Sequence, residues 1–221
     1  MSQSAERWRL ACFDLDGTLV LGTSTCQHLS RSLGHEDILS SLEDRYARGE
    51  ISNAEVANTD AQFYAGLSLA QVEDKLRDIP IIDGLPQTIE ALRSRGIPSI
   101  ICTVTWKFAA EIVAKRYGFV GASGCEMSLT HNGLLSGKVS KHFDEYSKLN
   151  YVREYCTVHG ISMDSVFAVG DSRSDIPLFS AVSFSIALNA TPIAKQAATC
   201  SLDTKWLPTM LTLLPRERPG G

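Results

Sequence analysis

The chain lacks the features that would mark a membrane, nucleic-acid, disulfide-framed or zinc-binding protein. No stretch of its 221 residues approaches the roughly 20 consecutive apolar residues that a membrane span needs. The opening residues, Met1 to Arg9, are polar and hold no signal-peptide core, so the chain is expected in the cytoplasm with no membrane partner. Positive charge is not in excess. The 21 Lys and Arg stand against 25 Asp and Glu, a formal net charge of −4, which leaves no basic footprint for nucleic acid. None of the six cysteines (Cys12, Cys26, Cys102, Cys125, Cys156, Cys200) belongs to a C-x-x-C pair. Two sit in apolar strand-like runs, and the set reads as reduced, mostly buried thiols rather than a disulfide frame or zinc site. The five histidines (His28, His35, His131, His142, His159) show no metal spacing and are assigned no role, and no internal repeat is present. What remains is an ordinary globular composition, 44% hydrophobic and 21% charged, long enough for one core domain plus an insertion.

Along the chain, short apolar runs alternate with helical patterns, the signature of a parallel sheet flanked by helices. Strands are expected over 10–13, 98–103, 166–169 and 184–188, and helices over 85–95, 108–117 and 146–159. The segment 22–80 breaks the rhythm: it is almost all helical pattern, punctuated by Gly34, Gly49 and Gly66. It is too long for a crossover loop and reads as a small helical cap over the sheet. A hairpin is expected within 125–139, turning at Thr130-His131-Asn132-Gly133. The expected organisation is therefore a core of 1–21 and 81–214, a cap of 22–80, and a disordered Pro/Gly-rich tail over 215–221.

The first strand runs into Asp14-Leu15-Asp16-Gly17-Thr18-Leu19-Val20, two carboxylates one residue apart before a Gly-Thr turn. Such a pair suits phosphoryl transfer through an aspartyl-phosphate, one carboxylate attacking and its neighbour managing the leaving-group proton. That chemistry also needs a metal, a cation on the phosphate and hydrogen-bond donors around its oxygens. In a parallel sheet the strand carboxyl ends share one edge, so residues far apart in sequence converge there. The second strand is expected to end at Thr103, just before a helix start whose free N–H groups favour anions. The strand 166–169 runs into Gly170-Asp171-Ser172-Arg173-Ser174-Asp175, whose hard carboxylates suit Mg²⁺. Lys148, near the start of the preceding helix, is placed to neutralise phosphate. Asp14 and Asp16 alone might be read as turn caps, but two acids ending an apolar strand are costly unless a cation or metal matches them. Trp106 and Lys107 are expected on the first helical turn after Thr103, facing the cleft. Core packing and surface charge are the competing explanations for these two residues.

Taken in order, Asp14-x-Asp16-Gly17-Thr18, Thr103, Lys148 and Gly170-Asp171-x-x-x-Asp175 resemble the motifs of the haloacid dehalogenase-like phosphatases. The likeness is to their phosphoserine-phosphatase-like branch and covers nearly the whole chain. It implies a Rossmann-like α/β core with helices on both faces of the sheet and an inserted helical cap. It further implies that Asp14 attacks phosphorus and binds Mg²⁺. Asp16 would protonate the leaving oxygen, then activate water, and lend its backbone carbonyl to the metal. A carboxylic acid protonated near neutral pH needs a raised pKa, which a closed cap and the Asp14 charge would supply. Asp171 would complete the metal site and Asp175 would orient it. Thr103 and Lys148 would hold phosphate oxygens, helped by the N–H groups of Leu15, Asp16 and Val104.

Phosphoserine phosphatases place an acid just past the first motif for the substrate ammonium and an arginine on the cap for its carboxylate. Here the first stretch is Leu21-Gly22-Thr23-Ser24, with no acid. A gapless alignment of the cap on Arg48-Gly49-Glu50 puts Asp60 at the arginine position and Asn53 at an aromatic one. The expected substrate is therefore a small phosphomonoester such as a sugar, aminosugar or cyclitol phosphate that meets Asn53 and Asp60. The alternatives are phosphoserine itself, a phosphotransferase or mutase using the same aspartyl-phosphate, or a catalytically silent binding protein.

Overall fold

Two-residue alternation divides the first strand, β1 (Leu10–Phe13), between two apolar clusters: Leu10 and Cys12 enter one, Ala11 and Phe13 the other. A strand that is apolar on both faces must be covered on both, and it is. The computed structural model describes residues 7–215. After β1 come four helices, α1 (Thr25–Leu33), α2 (Glu36–Ala47), α3 (Asn53–Ala61) and α4 (Leu69–Lys75). Then follow α5 (Leu85–Ser94), β2 (Ser99–Trp106), α6 (Lys107–Tyr117), β3 (Gly121–Leu129), β4 (Leu135–Lys141) and α7 (Glu145–His159). The remainder is β5 (Val166–Gly170), α8 (Ile176–Phe179), β6 (Phe184–Leu188), α9 (Pro192–Ala197), β7 (Cys200–Leu202) and a closing 3₁₀ segment, Leu207–Thr212.

The seven strands form one sheet in the order β4-β3-β2-β1-β5-β6-β7, parallel except for β4. On one face Leu10, Cys12, Ile100 and Cys102 pack with Leu149 and Val152 of α7 and Leu178 of α8. On the other, Phe13 and Ile101 pack with Ile89 of α5 and Val113 of α6. Leu29, Ala61 and Val72 from the inserted helices join this second cluster, so these helices share a core with the sheet. Their starts are locally encoded: Ser52 with Glu55, and Ser68 with Gln71, make reciprocal capping boxes at α3 and α4.

Three expectations need correction. Strand β2 does not stop at Thr103 but runs to Trp106, and α6 starts at Lys107, so no helix start follows Thr103 directly. Thr103, Val104, Thr105 and Trp106 are β-branched or aromatic and extend the pleat, pairing again at Trp106 with Cys125 after a register shift. Gly124 permits this: a Cβ there would lie 2.4 Å from the Thr105 carbonyl oxygen. Strand β3 begins at Gly121, before the expected hairpin, because its first half is the parallel neighbour of β2. Strand β7 escaped notice, being only three residues long. The turn falls where expected, closed by Gly133 N donating to Thr130 O at 2.9 Å. The six cysteines are free thiols, four of them buried. Of the expected tail, Pro215 accepts a hydrogen bond from Trp8 Nε1 at 3.0 Å, and 216–221 lie outside the described residues. No helix of the described residues is long and apolar enough to cross a membrane.

Candidate active site

The register of the three central strands assembles the site. Phe13 stands opposite Ile101 of β2 and Val169 of β5, so two residues further on Leu15, Thr103 and Asp171 come level at the carboxyl edge. The Leu15 carbonyl accepts from the N–H groups of Leu19 and Val20 at 2.8 and 2.9 Å, folding the first motif into a tight turn. Gly17 occupies it with φ +86°, and a Cβ there would lie 2.3 Å from Asp171 Oδ2. Only glycine accommodates both that backbone and that approach.

Lys148, wholly buried on α7, reaches the same point. Its ammonium donates to Asp14 Oδ1 at 2.6 Å, Asp175 Oδ1 at 2.8 Å and Ser174 Oγ at 2.9 Å. Burial alone would lower the lysine pKa, but the Asp14 and Asp175 charges raise it above the ordinary value, so the cation is retained. The other Asp175 oxygen accepts the N–H groups of Asp171 at 3.0 Å and Ser172 at 3.1 Å, tying down the acidic loop. Asp14, Asp171 and Asp175 each offer an oxygen, and these lie within 4.8 Å of one another. Burial pushes the Asp14 carboxyl up, against the pull of Lys148 and with the push of Asp175 and Asp171. Asp171 is pushed up to about 6 by burial and then by Asp175. One ammonium thus faces three crowded carboxylates.

Asp16 points away from this cluster. Its oxygens accept from Thr25 N at 2.7 Å and Thr25 Oγ1 at 2.9 Å, in the first turn of α1. Burial raises it to about 7, with the Thr25 hydrogen bonds opposing and the Asp14 charge adding. Asp16 is therefore a carboxyl raised toward neutrality by burial while Thr25 fixes its position. Thr103 is buried on β2, where its hydroxyl accepts from Thr105 N at 3.3 Å.

A cleft of about 190 Å³ opens beyond Asp16, between β2 and the inserted helices; Val104, Trp106, Asn53, Asp60 and Glu43 are among its lining residues. Asn53 donates to the Phe143 carbonyl at 2.9 Å. Asp60 is buried and doubly engaged, by His35 Nε2 at 2.8 Å and Trp106 Nε1 at 2.6 Å. Trp106 stacks on Phe108, so it serves the core as well as the cleft wall. Lys107 leaves the cleft altogether: its ammonium pairs with Glu126 at 3.3 Å, in a separate depression lined also by Phe108 and Leu135. With β2 longer than expected, Lys107 opens α6 on the far side of Trp106.

Several residues here went unnoticed in the sequence. Thr18, inside the first motif, donates to Asp171 Oδ1 at 3.4 Å, and Ser174 lies between two acids already singled out. Thr25 follows the α1 cap Ser24, a signal that marks a helix start but not its target. Glu43 and His35 carry no local signal: one reads as a helical surface acid, the other as an isolated histidine.

A family model described as haloacid dehalogenase-like hydrolase matches residues 11–180. The phosphoserine phosphatase SerB2 of Mycobacterium tuberculosis is 28% identical over 207 residues, 93% of this chain and 50% of that protein. The phosphoserine phosphatase of Methanocaldococcus jannaschii is 24% identical over 204 residues, covering 92% of this chain and 96% of that one. The chain thus spans half the length of the mycobacterial relative and nearly all of the archaeal one. A substrate-bound phosphoserine phosphatase structure superposes with a TM-score of 0.80 at 23% identity, over 94% of this chain and 99% of that chain. A phospho-aspartyl intermediate analogue of phosphoserine phosphatase gives 0.79 over the same shares. At such identity these structures establish a shared fold.

Proposed function

Because the chain belongs to the haloacid dehalogenase-like hydrolase family, we propose that it hydrolyses a small phosphomonoester through an aspartyl-phosphate on Asp14. The observation that carries this reading is the division of labour among carboxyls. Asp14 is held against the Lys148 ammonium, while Asp16 is held apart by Thr25 and raised to about 7.

The cluster fits a divalent cation. Three carboxylates answered by one lysine leave an excess of negative charge, and their oxygens are the hard donors that Mg²⁺ prefers. Asp14 and Asp171 would hold it with the Asp16 carbonyl, and Asp175 would steady the loop. When bound, the ion screens the charge of the phosphate. The Asp14 carboxylate attacks phosphorus and the ester P–O bond breaks as protonated Asp16 gives its proton to the leaving oxygen. Asp16, now ionised, takes a proton from water; that water attacks phosphorus, the P–O bond to Asp14 breaks, and both carboxyls return to their starting states. Thr103, Lys148 and the N–H groups of Leu15, Asp16 and Val104 would hold the phosphoryl oxygens.

The phosphoserine phosphatases among the relatives support that alternative, and hydrolysis rather than transfer, over the sugar, aminosugar or cyclitol phosphate expected from the sequence. The engagement of Asp60 by His35 and Trp106 also weighs against its serving as a free substrate contact. The partner proposed is a small phosphorylated metabolite, in the cytoplasm. Acid quenching during turnover with Mg²⁺ is expected to trap a phosphoprotein that hydroxylamine cleaves and that Asp14→Asn fails to form. Full turnover by Asp14→Asn would overturn the reading.

A further inference from the structure

The cleft beyond Asp16 has a charge pattern of its own. Asp16, Glu43 and Asp60 line it, and none of its lining residues is lysine, arginine or histidine. Two of these acids are accounted for by Thr25 and by the His35 and Trp106 pair. Glu43 of α2 is not. Its Oε2 accepts the Gln27 side-chain amide at 2.5 Å and its Oε1 the Ser24 hydroxyl at 3.4 Å, both neutral donors that orient the carboxylate without balancing its charge. Burial raises the Glu43 pKa, its two hydrogen bonds oppose this, and the charge of Asp60 adds to it. Glu43 is also close enough for its charge to act on Asp16, the proposed proton donor. A half-buried anion facing an open cleft, with neutral hydrogen-bond donors and the Asp60 charge acting on it, favours a cation there.

A carboxylate would fare badly in the same space, meeting Glu43 and Asp60 with no cation to receive it. Arg173 lies outside, in an adjoining depression, where its guanidinium sits over the Tyr46 ring at 5.7 Å. Building on the phosphomonoesterase reading but departing from the phosphoserine of the named relatives, we propose that Glu43 receives a substrate ammonium and that the ester is the phosphate of a small amino alcohol without a carboxylate. Specificity then rests on an attraction, Glu43 for the ammonium, and a repulsion, the acidic cleft against a carboxylate.

The test measures kcat/KM with Mg²⁺ for O-phosphoethanolamine, O-phosphoserine and glycerol 3-phosphate, with para-nitrophenyl phosphate as a general ester. Phosphoethanolamine is expected to exceed both phosphoserine and glycerol phosphate by about tenfold or more, and Glu43→Gln to shrink its lead over glycerol phosphate by about tenfold. Calorimetric titration of Asp14→Asn, alone and combined with Glu43→Gln, reads the same preference without turnover. Phosphoserine matching or surpassing phosphoethanolamine, or a lead that Glu43→Gln leaves intact, overturns the proposal. If none of the four esters is hydrolysed, the phosphatase reading fails by itself, and the calorimetric preference still decides the role of Glu43.

Discussion

Lys148 and Asp14, 134 residues apart in sequence and both buried, meet at 2.6 Å at the carboxyl edge of the sheet. Removing the cation leaves Asp14, Asp171 and Asp175 facing one another without a counter-charge. Lys148→Met is expected to lose activity and to destabilise the fold by about 3–5 kcal/mol, the range for breaking a buried pair. The deficit should be larger at about pH 8 than at about pH 5, because Asp171, pushed up to about 6, gives up its charge as the pH falls. Urea unfolding at the two pH values measures both effects, and equal losses would show that charge crowding is not the cause.

Stability of the metal-free protein should fall with rising pH. Asp171 and Asp16 are raised to about 6 and about 7, so the folded state holds their protons more tightly than the unfolded chain. Their contribution is complete below the ordinary carboxylate range and is lost as pH rises through these values. Carboxylates lowered by arginine partners, such as Glu36 and Glu90, act in the opposite sense only at more acid pH. Melting curves in chelator between about pH 5 and about pH 8 should therefore descend. Added Mg²⁺ should restore more stability at the alkaline end.

Asp16→Asn removes the proton donor but keeps a side chain that can hydrogen-bond to Thr25. Its effect should depend on the leaving group: a loss of about 10²–10⁴ for an alkyl phosphate, and much less for para-nitrophenyl phosphate, whose phenolate departs without a proton. Comparing the two esters on the wild-type and variant proteins checks this. A uniform loss would point instead to damaged metal or phosphate binding.

Trp106 carries two separable contributions. Trp106→Phe keeps an aromatic ring against Phe108 but leaves one Asp60 oxygen without its donor, with an expected cost of about 1–3 kcal/mol. Trp106→Ala also opens a cavity and should cost about 3–5 kcal/mol. Chemical unfolding of both variants gives the comparison, and equal costs would mean that the Asp60 hydrogen bond contributes little.

Strands β1 and β6 were legible to the residue, because continuous apolar runs bounded by polar turns allow little else. The convergence of Asp14, Lys148 and the acidic loop at one sheet edge was legible for a different reason: strand ends in a parallel sheet converge, so motif order carries spatial information. The end of β2 was misplaced because a threonine hydroxyl reads equally well as a stop and as a β-branched continuation. Trp106 and Lys107 were then expected together on a first helical turn facing the cleft, whereas Trp106 ends the strand and Lys107 pairs with Glu126 elsewhere. The cleft was the least legible part. His35, Asp60 and Trp106 come from three elements, and Glu43 becomes distinctive only once α2 lies over the sheet edge, a placement set by packing and not by any local pattern.

The central position of β1 also bears on how the chain is made. Asp14 and Asp16 leave the ribosome well before their cation at position 148 and the acidic loop at 171–175. Until α7 and β5 have been synthesised, β1 lacks one of its two flanking strands and Asp14, the proposed nucleophile, has neither its lysine nor its loop. A nascent chain released before β5 should carry the whole first motif and yet be inert, so that chemical competence is withheld until α7 and β5 have folded against β1.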